Sequence, residues 1–401
     1  MSILILNRSP HSLCPYEKFL QPLNEDLILL TSDTVAPQFQ NRGYTYIESF
    51  PNYEVNGLVE LRAIELFQQY RYRAIIAIAE ADIIRAAQLR ERFHLEGQTT
   101  SSAIRFRDKT LMKKIVQEAN IPTPSIIRLK QPIDLIQFIK THGYPIIIKP
   151  VDGVGSKDTY LLRNRNDLIQ FLEKENLTAY VAENFIDGDI YHVDGVILNK
   201  QIQFICASKY INHPLRYNEK GYLGSYILHP QNPLAKRLLK QTKKILQHFP
   251  IPTTTTFHAE WFHTPTDQLL FCEIASRTGG GKIIQAVAHA YGVDLFQAFV
   301  EPQCNLPYAL TTDQQSPQQI TGWVKIPPKQ GILKSIPSEE PPAWVIEYEL
   351  VGEVGKSYHD PNGIGQYIAA FVVKGESEKD VNQKLIKIAE WFHQSTKWVS
   401  F

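Results

Sequence analysis

The stretch FHAEWFHTPTDQLLFCEIASRTGGG, Phe257 to Gly281, reads as a β-hairpin with an acid in the middle of each arm. FHAEWF and LLFCEIA are rich in the aromatic and apolar residues that favour strands. Between them Thr264-Pro265-Thr266-Asp267 is turn-like. A turn centred between Thr266 and Asp267 sets Glu260 opposite Glu273, His258 opposite Ala275, and Phe262 opposite Phe271. Directly opposed side chains lie about 4.5–5.5 Å apart at Cβ, so two carboxylates there repel unless a cation sits between them. Arg277 shares the face of Glu273 if the strand runs that far, and Gly279–Gly281 then bring backbone close to whatever is bound. Oxygen-only ligands at this separation suit Mg2+, which typically uses one or two carboxylates plus substrate phosphates. A register displaced by one residue would instead turn one glutamate to solvent.

The rest of the chain narrows the setting. Its 401 residues suffice for two or three domains. With 21% charged residues and a net charge of +1, no global field argues for nucleic acid or an anionic membrane. Cys14, Cys206, Cys272 and Cys304 are scattered, without CxxC or metal spacing, which favours a reducing compartment and no disulfide framework. MSILILNRSP is too short an apolar run for a signal peptide, and no run of about 18 apolar residues occurs. The expectation is a soluble cytoplasmic protein.

Residues 1–100 alternate short apolar runs (SILIL, DLILL, AIIAIA at 74–79) with helical spacing over Val59–Gln69 and Glu80–Phe93, as a small parallel α/β domain would. No GxGxxG follows the first strand, so the dinucleotide fingerprint is absent. FRDKTLMKKIVQEANI (106–121) predicts an amphipathic helix with Leu111, Met112, Ile115, Val116 and Ala119 on one face, stopped by Pro122 and Pro124. A helix over Pro132–His142, a strand YPIIIKP (144–150), a glycine loop VDGVGSKDT (151–159), a helix over 166–175 and a strand AYVAENFI (179–186) follow. A hairpin is expected over 187–209, a long polar, aromatic-rich loop over 210–230, and helices near 233–248, 282–290 and 294–301. The last ninety residues read as β-rich, closing on a helix over 377–393.

Taken singly, the remaining candidates are weak. Lys149 ends an apolar strand, where an unpaired ammonium is expensive, and Gly153, Gly155 and Ser156 in the next loop can turn N–H groups toward a phosphate. A glycine turn beside an exposed lysine has the same composition. Lys109 at a helix start reads equally as a solvated charge. Glu183-Asn184-Phe185-Ile186 offers a strand-end backbone that could hydrogen-bond a purine. His213, Arg216, Tyr217 and Tyr222 fall in the 210–230 loop, where a solvated surface is the plainer reading, while Trp261 and His263 should face away from the carboxylates.

Their order is more specific than the pieces. FRDKTLMKKIVQEANIPTP, YPIIIKPVDGVGS, VAENFIDGDIYHVDG, FHAEWF and FCEIASRTGGG, with GWVKIPPKQGIL after them, resemble the ATP-grasp superfamily over essentially the whole chain. Within it the chain is most similar to carboxylate–amine ligases of the L-amino-acid-ligase and carnosine-synthase type, themselves similar to biotin carboxylase. The resemblance implies a mixed α/β (α+β) ATP-grasp fold: an α/β domain over 1–100, an ATP-grasp domain over 101–310 with a flap at about 142–186, and a β-rich C-terminal domain over 311–401. It implies ATP with Mg2+ or Mn2+ as cofactors, and small carboxylate and amine substrates. Homodimers are common among similar enzymes.

Carried over by motif, Lys109 and Lys149 would bind phosphates, and Gly153, Gly155 and Ser156 would form the flap above them. Glu183 and the backbone of Asn184, Phe185 and Ile186 would hold adenine, with Asp189 or His192 near the ribose. Glu260 and Glu273 would hold the metal, and Arg277 would face the acyl phosphate, with Lys149 also catalytic. Many relatives carry Asn two residues after the second metal glutamate; here that position is Ala275, so a third, amide ligand is missing. A bicarbonate-activating, biotin-carboxylase-like enzyme and a non-catalytic ATP sensor or scaffold are the competing readings. No Ser-His-Asp or Cys-His nucleophile is evident in the sequence.

Overall fold

The computed structural model describes residues 1–174, 176–361 and 363–400. Strands β1 (Ser2–Asn7), β2 (Asp26–Ser32), β3 (Tyr46–Phe50) and β4 (Ala74–Ala77) form a parallel sheet in the order β3-β2-β1-β4. Alternation explains its near-continuous apolar runs: Leu4, Leu6, Ile28 and Ile75 pack on one face against α2 (Leu58–Tyr70) and α3 (Asp82–Phe93). Ile3, Ile5, Leu29 and Ile76 pack on the other against Phe296, Phe299 and Val300, and against Tyr16 of the short α1 (Tyr16–Phe19). A parallel sheet buried on both faces needs apolar residues at every position. Its second cover therefore comes from a helix more than two hundred residues away in sequence, which no local pattern announces.

α5 (Lys109–Glu118) lies within the helix expected over 106–121, and a separate short helix, α4 (Thr100–Arg105), precedes it. Asp108 caps α5, its carboxylate accepting from the backbone N–H of Thr110 and Leu111. The buried face is also rotated: Met112 and Val116 are core, Leu111 is exposed, and Lys113 is fully buried. A four-stranded sheet in the order β5-β8-β6-β7 follows, from β5 (Ile126–Arg128), β6 (Ile146–Pro150), β7 (Tyr160–Leu162) and β8 (Tyr180–Asn184). α6 (Pro132–His142) and α7 (Arg165–Lys174) cover it. This flap sheet begins at 126 and so takes in more chain than the expected 142–186.

The centre of the molecule is an eight-stranded sheet. Its members are β9 (Asp189–Leu198), β10 (Gln201–Tyr210), β11 (Leu223–Ile227), β12 (Thr255–His263), β13 (Leu269–Ala275), β14 (Ile320–Ile326), β16 (Val345–Leu350) and β18 (Ala369–Gly375). They run in the order β13-β12-β9-β10-β11-β14-β18-β16. The stretch expected as an open loop over 210–230 thus contains a short helix, α8 (Tyr217–Lys220), and β11, which joins β10 to β14. The segments on either side of residue 310 share one sheet. A small sheet of β15 (Gly331–Ser335), β17 (Ser357–Tyr358) and β19 (Lys397–Val399) lies beside it.

Each face of the large sheet has its own cover. On one face Val193, Phe257, Ala259, Trp261 and Phe271 meet α5 and α9 (Pro233–Leu246), where Trp261 Nε1 donates to Thr242 Oγ1 at 3.0 Å. Farther along, Val324 and Phe371 meet α12 (Glu378–Ser395). The other face packs partly on α10 (Ile283–Tyr291) and α11 (Leu295–Gln303) and carries the polar residues described next. Among the described residues no single helix is long and apolar enough to cross a membrane.

Candidate active site

Cross-strand register delivers the two hairpin acids to one place. Glu260 pairs with Glu273 and His258 with Ala275, as the turn chemistry predicts. A bulge after Glu260 then shifts the pairing, so Phe262 opposes Leu270 rather than Phe271. A bulge adds one unpaired residue to one arm, here Cys272, and the hydrophobic arm of the hairpin slips while the acidic pair stays in register. Trp261 sits in the opposite core, as alternation requires.

Around the pair are four cations. Lys109, at the start of α5, is buried; its Nζ donates to the Gly153 carbonyl at 2.9 Å and lies 3.7 Å from Glu273 Oε2. Burial lowers the Lys109 pKa, partly opposed by Glu273 and reinforced by Lys149, so a bound phosphate would relieve it. Lys149 Nζ lies 3.1 Å from Glu183 Oε2. Burial works against its charge, but Glu183, Cys272 and Glu273 outweigh it and raise the pKa. Lys113 is the second lysine on Glu183: its Nζ approaches Glu183 Oε1 to 2.7 Å, at an angle that leaves both atoms without a hydrogen bond. Arg277, just past the end of β13, donates from Nε to Glu80 and from Nη1 to the Thr278 carbonyl at 2.6 Å.

Glu80 is the residue sequence reasoning missed. It follows β4, is 8% exposed, and accepts from Arg277 on one oxygen and from Arg107 Nη1 at 2.7 Å on the other. Burial alone would push its carboxyl up; the two guanidiniums outweigh burial and hold it at about 2, against an ordinary 4.5. An acid at the end of a buried strand was legible as a candidate, since parallel sheets present ligands and contacts at their carboxyl ends.

Behind Glu260 runs a buried polar chain. His192 Nε2 meets Ser225 Oγ at 2.8 Å and its Nδ1 meets Asp194 Oδ2 at 2.5 Å. Asp194 Oδ1 meets His258 Nδ1 at 2.8 Å, and His258 Nε2 lies 3.4 Å from Glu260 Oε1. Tyr210 OH donates to the same oxygen at 3.1 Å. Burial opposes the His258 charge, but Asp194 outweighs it and pushes the pKa up to about 9. Burial likewise raises the Glu260 carboxyl, while His258 and Tyr210 bring it down to about 2. Ser225, His192 and Asp194 thus form the hydrogen-bonded order of a Ser-His-Asp triad that the sequence did not reveal. Ser225 is 1% exposed, so this set orients Glu260 rather than attacking a substrate.

Other expected residues separate. Glu183 is 3% exposed and spends its carboxylate on two lysines. Asn184 accepts from Ser125 N–H at 2.6 Å, and Phe185 N–H donates to the Pro145 carbonyl at 3.2 Å, with Ile186 half-buried beyond. Asp189 shares a strand face with Tyr191 and Trp261, opposite His192, and pairs with Lys209 at 2.6 Å; it is not brought to the site. His192 is 1% exposed within the polar chain. Gly155 and Ser156 both have positive φ, and the Gly155 carbonyl accepts from Ile364 N–H at 3.0 Å. Tyr217 is buried, its hydroxyl on the Gln366 carbonyl, whereas Arg216 is exposed and His213 caps Leu215 N–H.

The residues fit a divalent cation: two cross-strand carboxylates, one of them held ionised by the chain behind it, and a partly open Glu273 with only a 3.7 Å lysine neighbour. Ala275 adds no ligand atom beside them. The glycine turn lies close above. A Cβ on Gly279 would come within 2.7 Å of Asp194 Oδ1 and of His258 Nδ1. Gly279→Ala is therefore expected to displace the polar chain and cut turnover at least about tenfold, given that a 1 Å misplacement can cost about 10²-fold. Steady-state ADP release against thermal melting checks this.

The ATP-grasp domain family model matches residues 106–261. These residues are an ATP-grasp domain. An L-arginine-specific L-amino acid ligase of Bacillus subtilis is 23% identical over 382 residues, covering 92% of this chain and 91% of the relative. The crystal structure of an L-amino acid ligase from Bacillus licheniformis superposes with a TM-score of 0.81 at 16% identity, over 100% of this chain and 98% of that one. The biotin carboxylase domain dimer of Hydrogenobacter thermophilus 2-oxoglutarate carboxylase, in complex with MgADP, ADP and bicarbonate, gives 0.71 at 14% identity, over 99% and 90%. The ATP-grasp fold therefore extends across the whole chain.

Proposed function

We propose that this protein is an ATP-dependent ligase that activates a small carboxylate, most simply that of an amino acid, as an acyl phosphate and joins it to an amine. The observation that carries the reading is the meeting, on one sheet face, of the Glu260–Glu273 pair with Lys109 and Arg277. The name of the Bacillus subtilis relative, an amino acid ligase aligned over nearly the full length, supports the substrate class.

The chemistry follows from charge. Phosphoryl transfer asks mainly for positioning and neutralisation of phosphate oxygens, which Lys109 and Lys149 would supply. Glu260 and Glu273 would hold Mg2+, or Mn2+ in its place, which when bound adds further neutralisation of the nucleotide phosphates. A carboxylate oxygen attacks the γ-phosphorus and ADP leaves. The amine then attacks the acyl carbon, phosphate departs, and the amine loses a proton to give the amide. Arg277, held by Glu80, faces the developing oxyanion. The loop at Gly153–Ser156 covers the phosphates and keeps water from the acyl phosphate. Four buried thiols suit a reducing compartment such as the cytoplasm, and a homodimer, readable by light scattering, is the assembly we favour.

Incubation with ATP, Mg2+ and pools of amino acids and other small carboxylates, with hydroxylamine in parallel, tests the reading. The expected products are ADP, phosphate and a hydroxamate from one pool. AMP and pyrophosphate would replace the acyl phosphate with an adenylate and remove the role given to Arg277.

A further inference from the structure

The polar face of the central sheet does not end at the proposed catalytic residues. Following the register, Glu260 neighbours His192, Tyr210 neighbours Ser225, Ser225 neighbours Trp323, and Lys325 shares the pair of Ala370 with Glu349. Lys325 and Glu349 therefore lie on the same face as Glu260, at the far side of β11. The glycine turn spans the gap. A Cβ on Gly279 would strike Asp194 and His258, and one on Gly281 would strike the Trp323 ring at 2.5 Å, yet these glycines are at most about 7.6 Å apart at Cα. Lys282, the next residue, reaches Glu349 Oε2 at 2.6 Å, where Tyr367 OH also donates at 3.0 Å.

This cluster carries one charge too many. Lys282 is 6% exposed and Lys325 8%. Glu349 answers Lys282; among the described residues no carboxylate lies within 4.0 Å of Lys325, whose Nζ sits 4.1 Å from the centroid of the Tyr367 ring. A cation–π contact contributes about 0.5–2 kcal/mol, less than the several kcal/mol that desolvating an ion costs. Burial, then Lys282, pull the Lys325 pKa down to about 8, with Glu349 opposing them only in part. One surplus buried positive charge on the sheet face that carries Glu260 matches a single incoming anion.

We propose that Lys325, with Lys282 beside it, is a specificity subsite for a free carboxylate of a substrate, distinct from the carboxylate that is phosphorylated. The proposal rests on the ligase reading. Two sources share that chemistry: the α-carboxylate of an amino-acid amine, or the second carboxylate of an acidic acyl donor. A single charge fits a carboxylate better than a dianionic phosphate, and the nucleotide phosphates already have Lys109 and Lys149.

The test compares wild type, Lys325→Met and Lys325→Arg. Each amine and each donor active in the ADP-release screen is offered as the free acid and with the second carboxylate blocked as its amide. For the substrate that uses the subsite, blocking is expected to raise the wild-type KM about 10–100-fold, the range of a lost charged hydrogen bond. Lys325→Met should raise the free-acid KM equally and the amide KM no further, with Lys325→Arg recovering much of the loss. A blocked amine that behaves this way names the amine as the source; a blocked donor names the donor. Equal loss for free acid and amide in Lys325→Met, or no change in KM, overturns the subsite. If wild type releases no ADP with any pool, the ligase reading falls, and the subsite is judged by melting in Mg2+–ADP with L-glutamate, L-glutamine and L-glutamate diamide. Protection by a carboxylate probe that Lys325→Met loses supports it; identical melting of both proteins with every probe overturns it.

Discussion

Glu273→Gln is expected to lower ATP turnover by about 10²–10³-fold, the scale of losing one electrostatic element of a preorganised site, while the protein melts within a few degrees of wild type. Glu273 is the more exposed partner of the acidic pair, with 34% of its side chain accessible and, among the described residues, Lys109 at 3.7 Å as its cation within 4.0 Å. Removing its charge relieves repulsion with Glu260 and breaks no close hydrogen bond, so folding is spared. Glu260→Gln should differ: it leaves His258 and Tyr210 with a weaker acceptor, and a loss of stability should accompany the loss of turnover. Steady-state ADP release and thermal unfolding of both variants, measured together, separate the two. Unchanged turnover in Glu273→Gln would mean that the acidic pair does not hold the metal.

Glu80→Gln should be costly in both activity and stability, because breaking a buried ion pair costs about 3–5 kcal/mol and here two guanidiniums share one carboxylate. The pH dependence gives the sign. The folded carboxyl is depressed from 4.5 to about 2, so its contribution is fully present above about pH 4.5 and is lost as pH falls toward 2. Denaturant unfolding at several pH values should show wild type and Glu80→Gln far apart at pH 7 and converging near pH 3. Because Glu80 acts through Arg277, kcat should fall more than nucleotide affinity. A variant with normal kcat and an unchanged gap across pH would remove Glu80 from the site.

The alternation of apolar runs with helical spacing was sufficient for β1, β2, β4, α2 and α3 of the N-terminal unit, but it announced neither β3 nor the distant helix that covers the sheet's second face. The acidic hairpin was equally legible: its turn chemistry sets the register, and register places Glu260 against Glu273. Lys109 read equally as a solvated charge until the structure buried it against the Gly153 carbonyl and Glu273. What local pattern could not supply was partners distant in sequence. Lys113 reads as one more solvated helix charge until Glu183 of the flap sheet closes on it. β11 reads as loop because Gly224 and Ser225 interrupt its apolar residues, and it becomes a strand only where β10 and β14 offer unpaired backbone on both sides.

The sequence by itself therefore determined most element types and the pairing of two glutamates, because these follow from periodicity and turn chemistry within a few dozen residues, and the order of its motifs carried the resemblance to ATP-grasp enzymes. Tertiary structure alone decided which charges are neutralised. Glu80 meets Arg277 across 197 residues, the Ser225–His192–Asp194 chain needs three strands side by side, and Lys325 is only partly compensated because Glu349 pairs with Lys282. The physical reason is that Coulomb energy and desolvation depend on distance through space and on burial, quantities that a linear pattern does not contain.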